Sequence, residues 1–357
     1  MSNRNQDLEK SCVLFLSDML HLRRDNKMLL YTDEASNDFI VEALLFEAKK
    51  LGVQTDIIRL HTFPGLSERE KVLVEKIANG EYDAVCELSE QYFYPSAVWK
   101  KALQKGCRVY SLGAIDSDSF IRCIGKTDHV KLYNFGLLLY RLLCRSRNVQ
   151  IYTECGTNIT CKMTSQSLMV KILTRLKLMQ RSTVFRPDGM LKTRSSATFM
   201  AGQVAFQGIP ATIEGKVVID GYLWPPNEIG QIVDPIVLRI RKGCVTNIEG
   251  CPSKSLILSN WLEGKEKRVM HFCIGFHPGA QLSGKLVEAE RTFGNIVIGI
   301  GKYPFHADGI IKNPTLKLND AVILQNGTFV HDKLSVLEQA LFRPFLGNEF
   351  VNSNSRL

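Results

Sequence analysis

Residues His271 to Asn319 read HFCIGFHPGAQLSGKLVEAERTFGNIVIGIGKYPFHADGIIKNPTLKLN, and the rest of the chain is read outward from them. Gly275, Gly279, Gly284, Gly294, Gly299 and Gly301 punctuate short apolar runs, Ile296 to Ile300 being the clearest. Glycines at such spacing mark turns and close backbone approaches, so the segment predicts strands and tight turns rather than helices.

The same residues resemble the carboxy-terminal part of the aminopeptidase T (M29) family and its relatives, the 2,5-dihydroxypyridine dioxygenases. In those proteins a phrase like GIGxNPxA is followed by LEDE, then GxxHIAxG, then HxD. Here the order is Gly275 to Ala280, Val287 to Glu290, Gly294 to Gly299, and Lys317-Leu318-Asn319. Two further phrases carry the likeness upstream, Glu214 to Gly221 (EGKVVIDG) and Asp234 to Gly250 (DPIVLRIRKGCVTNIEG).

The resemblance implies a divalent metal site at positions that here carry other residues. A His-x-Asp pair supplies an imidazole and a carboxylate, and two His with one carboxylate make the facial triad of non-haem iron. In this chain Lys317 and Asn319 stand at the family's His-x-Asp, Val297 at a strand histidine, and Gln203 at an upstream carboxylate, leaving His271 and Glu288 as ligand types. The expectation is a vestigial metal site without catalytic residues or cofactor. The scaffold would then bind peptide, as members similar to the crocagin-pathway proteins hold a precursor peptide during biosynthesis of a ribosomally made, modified peptide. Tyr222 and Trp224, in a proline-rich loop, and Lys317 are the candidate peptide contacts.

A second reading is a working enzyme, aminopeptidase or ring-cleaving dioxygenase. His306-Ala307-Asp308 is itself a His-x-Asp phrase, about ten residues before the family's position. With His271 it would complete two imidazoles and a carboxylate for one Fe or Zn ion. On the expected pattern, however, it falls in the turn that begins at Lys302.

The amino-terminal half is an alternation of elements. Leu8 to Leu22 is a helix, Lys27 to Thr32 a strand, and Asn37 to Leu51 an amphipathic helix stopped by Gly52. Gln54 to Leu60, Asp83 to Leu88 and Arg108 to Leu112 are strands, with helices at Ser67 to Ala78 and Ser96 to Lys105 between them. Strands alternating with helices predict an open parallel sheet with right-handed crossovers. No glycine-rich phosphate loop follows the first strand. The turn there reads Asp33-Glu34-Ala35-Ser36-Asn37, acidic where pyrophosphate needs bare amides, which excludes a dinucleotide site.

His129 to Arg145 is a helix and Val149 to Met163 a hairpin, so the domain boundary is placed at residue 148. The expected architecture is an α/β scaffold domain over residues 1–148 and a β-rich α+β domain of the M29 type over residues 149–357.

Ten cysteines spread from Cys12 to Cys273 contain no Cys-x-x-Cys pair and read as reduced, buried small residues. No apolar run is long enough to span a bilayer and Met1 to Lys10 is polar, so the expected setting is cytoplasmic. The net charge of +9 gathers between Lys171 and Arg194, a segment open to an acidic partner, an anionic surface or simple solvation. No nucleic-acid-binding motif accompanies it, so nucleic acid is not an expected partner. The family resemblance implies a homodimer.

Overall fold

The computed structural model describes residues 2–60, 66–90, 96–113, 115–164, 181–191, 195–302 and 305–345. The apolar spacing of Leu168, Ile172, Leu173, Leu176 and Met179 predicts a helix, but that segment and the cations Lys171, Arg175, Lys177, Lys192 and Arg194 lie outside the described residues. The chain forms two compact units, Met1–His129 with Asp188–Ala201, and Val130–Pro187 with Gly202–Leu357.

In the first unit, helix α1 (Ser2–Leu14) precedes β1 (Lys27–Asp33), α2 (Asp38–Lys50), β2 (Gln54–Leu60), α3 (Leu66–Asn79), β3 (Ala84–Glu87), α4 (Ala97–Gln104) and β4 (Arg108–Ser111). All the pairings are parallel, in the order β2-β1-β3-β4, and the short strand Ala197–Phe199, β8 in chain order, adds itself to β4. Local signals explain the helix limits. The Asn37 side chain accepts the Ile40 N–H at 3.2 Å to open α2, and Gly52 takes a φ of +75° just past its end. β3 and β4 are buried at every position, as strands covered on both faces must be, while β2 at the edge is buried only at Leu60. Leu29, Tyr31, Val85, Trp99 and Val109 fill the core between sheet and helices.

This strand order reverses direction between β1 and β3, where open α/β sheets bind ligands at the carboxyl ends of strands. Here a side chain fills that place. The Asp33 carboxylate accepts the Glu90 N–H at 2.8 Å and the Ala35 N–H at 3.1 Å. A carboxylate holding these two amides withholds them from a phosphate.

The second unit joins helix α6 (His129–Arg145, the short Ser117–Phe120 being α5) to a sheet of fifteen strands among the described residues. Its strands include β5 (Asn148–Tyr152), β6 (Asn158–Lys162), β9 (Gln203–Gln207), β10 (Glu214–Ile219), β11 (Tyr222–Trp224) and β13 (Ile236–Arg241). β14 (Cys244–Gly250), β15 (Arg268–Gly275), β16 (Ile296–Lys302), β17 (Phe305–Ile311) and β18 (Thr315–Leu318) complete the part that matters here. They are antiparallel neighbours in the order β11-β17-β16-β15-β14-β13-β10-β6-β5-β18, and β9 also pairs with β15.

A single cut at residue 148 separates two segments from the unit they pack in. Phe135 of α6 meets Phe276 at 5.2 Å and Phe329 at 4.9 Å between ring centroids, inside the β-rich unit, so the helix belongs there. Residues 188–201 return to the first unit because β8 completes its sheet. No helix among the described residues is long and apolar enough to cross a membrane. All ten cysteines are free thiols.

Candidate metal centre

Three neighbouring strands build the site, and their register explains it. His271 on β15 lies opposite Gly299 on β16, and Gly299 lies opposite Asp308 on β17. Strands two apart in a sheet are separated by about 9.6 Å, too far for two side chains to meet across an intervening one. Gly299 removes the obstacle. A Cβ there would stand 2.5 Å from the His271 Cε1, so the imidazole crosses over bare backbone toward Asp308. His306, two residues before Asp308 and thus on the same face of β17, lies opposite Gly301, a second position without a side chain.

The donors converge as this register requires. His271 Nε2 is 3.1 Å from Asp308 Oδ1 and His306 Nε2 is 3.2 Å from Asp308 Oδ2, with the two rings at 88° to each other. One donor atom from each residue falls within 4.8 Å of the others. Atoms that share a divalent cation at about 2.1 Å stand about 3 Å apart when they subtend a right angle, so the separations and the donor set both fit a metal.

Burial alone would raise the Asp308 carboxyl, but the charges of His306 and His271 outweigh it and hold the group well below the ordinary carboxylate range. Glu290 stands in the same field. Burial, and then the charge of Asp308, push its carboxyl up to about 7 against the pull of Arg291. The Arg291 side chain is itself buried, with Nη1 donating to the Val287 carbonyl at 2.6 Å and lying 3.2 Å from Glu290 Oε2.

The other positions read from the sequence are dispersed. Lys317 and Asn319, assigned above to a lost His-x-Asp pair, stand in β18 and the turn after it, away from the three donors. Lys317 lies opposite Gln150 with its ammonium 5.4 Å from the Tyr152 ring centre. Asn319 Oδ1 accepts the Arg147 and Asn148 N–H groups at 2.8 and 3.1 Å, a turn-closing role at a φ of +56°. Glu288 is buried and accepts the Gln281 N–H at 2.8 Å and the Ser283 hydroxyl, which ties down its own loop.

Gln203 pairs with Gly275, and Val297 sits between Cys273 and Ile310 in a small apolar cluster with Tyr222 and Ala289. Tyr222 and Trp224 do flank the centre: Trp224 pairs with Asp308 across β11 and β17, while the Tyr222 hydroxyl donates to the Gly284 carbonyl at 3.0 Å. The His306-x-Asp308 phrase, expected in a turn, lies on a strand, because β17 pairs with β16 from Phe305 onward. Glu290 was read only as the end of the acidic phrase Val287 to Glu290, and Arg291 beside it was not singled out.

Two solved structures resemble the whole chain. That of 2,5-dihydroxypyridine dioxygenase from Pseudomonas putida KT2440 matches with a TM-score of 0.70 over 93% of this chain and 99% of that one, at 15% identity. That of wild-type AmpT from Thermus thermophilus matches with a TM-score of 0.61 over 91% and 99%, at 12% identity. The chain has their fold. No family model and no curated protein sequence matches it. The AmpT-type fold thus accounts for both units, the parallel five-stranded sheet and the large antiparallel one. Within this fold the chain presents a His-His-Asp group able to hold a metal ion.

Proposed function

We propose that the chain is a metalloenzyme whose single divalent cation is held by His271, His306 and Asp308, and that it belongs with the oxygen-using rather than the peptide-cleaving bearers of this fold. The observation that carries the reading is the convergence of two imidazole Nε2 atoms on the two oxygens of one buried carboxylate. Two histidines and one carboxylate are the ligand set of non-haem iron oxygenases, which leaves coordination positions open for substrate and oxygen. An iron so held would supply oxygen activation, and one solved structure of like fold is that of a dioxygenase.

The chain's own residues do the positioning. Asp308 stays ionised, and its two oxygens face the two Nε2 atoms that would share the cation with it. Gly299 and Gly301 leave the face of β16 bare, so the donors meet above it. Val297, Ile310, Tyr222 and Cys273 pack as a buried apolar cluster at the neighbouring register positions and hold the three strands together. The expectation of an ion-free peptide holder rested on the loss of ligands at Lys317, Asn319 and Val297, which are not the positions that converge.

Protein purified without oxygen and titrated with Fe(II), Zn(II) and Mn(II) should take up one ion per chain, and H306A should take up none. Bound metal should raise the melting temperature, an increase that a chelator reverses. Failure of the intact chain to bind any of the three ions would remove the proposal.

A further inference from the structure

The sheet of the second unit carries a second feature, a groove of about 930 Å³ none of whose lining residues belongs to β15, β16 or β17. It runs across β13, β10, β6, β5 and β18 on the face opposite the buried Leu238, Val217, Ile159, Ile151 and Leu316. The register aligns its side chains in two rows. Arg239 faces Lys216, Lys216 faces Asn158, and Asn158 faces Tyr152. In the second row Gln150 faces Lys317.

A solvated face of an antiparallel sheet is polar anyway, so polarity alone means little. The charge distribution says more. Among the described residues four cations, Lys216, Arg239, Arg241 and Lys317, line the groove against one carboxylate, Glu214, whose Oε1 already accepts the Lys242 N–H at 2.8 Å. Lys216 stands directly across from Arg239, an opposition of like charges that Glu249, paired with Arg239 and in the field of Lys216, offsets in part. Glu249 offsets Arg239 from outside the groove, at 2.6 Å. Cations therefore gather at the β13–β10 end and at Lys317, with the uncharged amides of Asn158 and Gln150 between.

We propose that this groove binds an extended acidic peptide segment, carboxylates at the two cationic ends and backbone against the amide side chains between. Five strands span about 19 Å, the length of roughly six extended residues. Single-stranded nucleic acid fits less well. Among the described residues Tyr152 is the one ring lining the groove, and the Lys317 ammonium already lies over it at 5.4 Å, which leaves these residues without a free stacking platform for a base. The proposal stands independently of the metal centre.

The test measures fluorescence polarisation of the full chain with three probes: a labelled Glu-Ser repeat peptide, a Lys-Ser repeat, and a single-stranded oligonucleotide of the same negative charge as the first. The Glu-Ser probe alone should bind appreciably, with affinity falling as salt rises. The double variant K216E/K317E should weaken binding roughly tenfold, R241E should weaken it separately, and H306A should leave it unchanged. Thermal melts establish that each variant is folded. The proposal fails if the peptide does not bind, if folded K216E/K317E and R241E bind it as the native chain does, or if the oligonucleotide binds more tightly than the peptide.

Discussion

Gly299 lies directly across from His271 in the β15–β16 ladder, and a methyl group on it would stand 2.5 Å from the imidazole. G299A should therefore push the His271 ring off its line to Asp308 while leaving the strand paired. Misorienting one ligand of a metal typically costs roughly 10–100-fold in affinity. Titration calorimetry with Fe(II) or Zn(II) on native and G299A protein checks this, and equal affinities would show that the glycine does not position the ring.

Phe135 should be among the costliest truncations in the second unit. Its ring packs against Phe276, Phe293 and Phe329 and is fully buried. F135A leaves a cavity of most of a ring, for which a loss of about 3–5 kcal/mol is expected. Urea unfolding followed by fluorescence measures it; a loss below about 1 kcal/mol would mean that the aromatic cluster collapses to fill the space.

The thiols should divide sharply by reactivity. Burial pushes Cys12 and Cys161 up to about 12 and Cys107 up to about 11, whereas the Ser253 hydroxyl beside Cys251 lowers its thiol. Cys155 is exposed on the same hairpin that turns Cys161 inward. Iodoacetamide at about pH 7.5 should label Cys155 and Cys251 in the native protein, and the other three only after denaturation. Mass spectrometry of the digests decides; rapid native labelling of Cys161 would contradict the packing of that hairpin.

Asp56 sets a pH dependence in the first unit. The Tyr82 hydroxyl donates to it at 2.6 Å, and Lys27 and Lys76 each approach to 3.3 Å, so its carboxyl is held below the ordinary value. A depressed carboxyl stabilises the fold above its unfolded pKa and loses that contribution as pH falls through its folded value. D56N should lower the melting temperature by a constant amount from about pH 5 to 8, with the gap closing below about pH 4. A gap that persists or widens in acid would assign the effect to packing.

The first unit was legible nearly strand by strand because its signals are local: Asn37 and Ser96 as caps, Gly52 as a stop, and apolar runs for β3 and β4. β8 was not, since three residues carry no period and their partner lies far back in the chain. The site was legible only in its parts. His271 and the His306-x-Asp308 phrase could be named, but family spacing pointed to Lys317 and Asn319 instead. What decides between them is cross-strand register, which places Asp308 rather than Lys317 opposite Gly299. The period of two on β17, His306 and Asp308 on one face, was the readable clue.

The last strand of the parallel sheet has a consequence for how the chain is made. β4 leaves the ribosome with one edge unpaired, and the residues that cover it, Ala197 to Phe199, are synthesised only after α6 and the hairpin of β5 and β6. Until then the nascent first unit exposes the backbone donors and acceptors of a strand buried in the finished protein. A gene shortened to end at residue 148 would keep that edge bare permanently, and its product should associate through it.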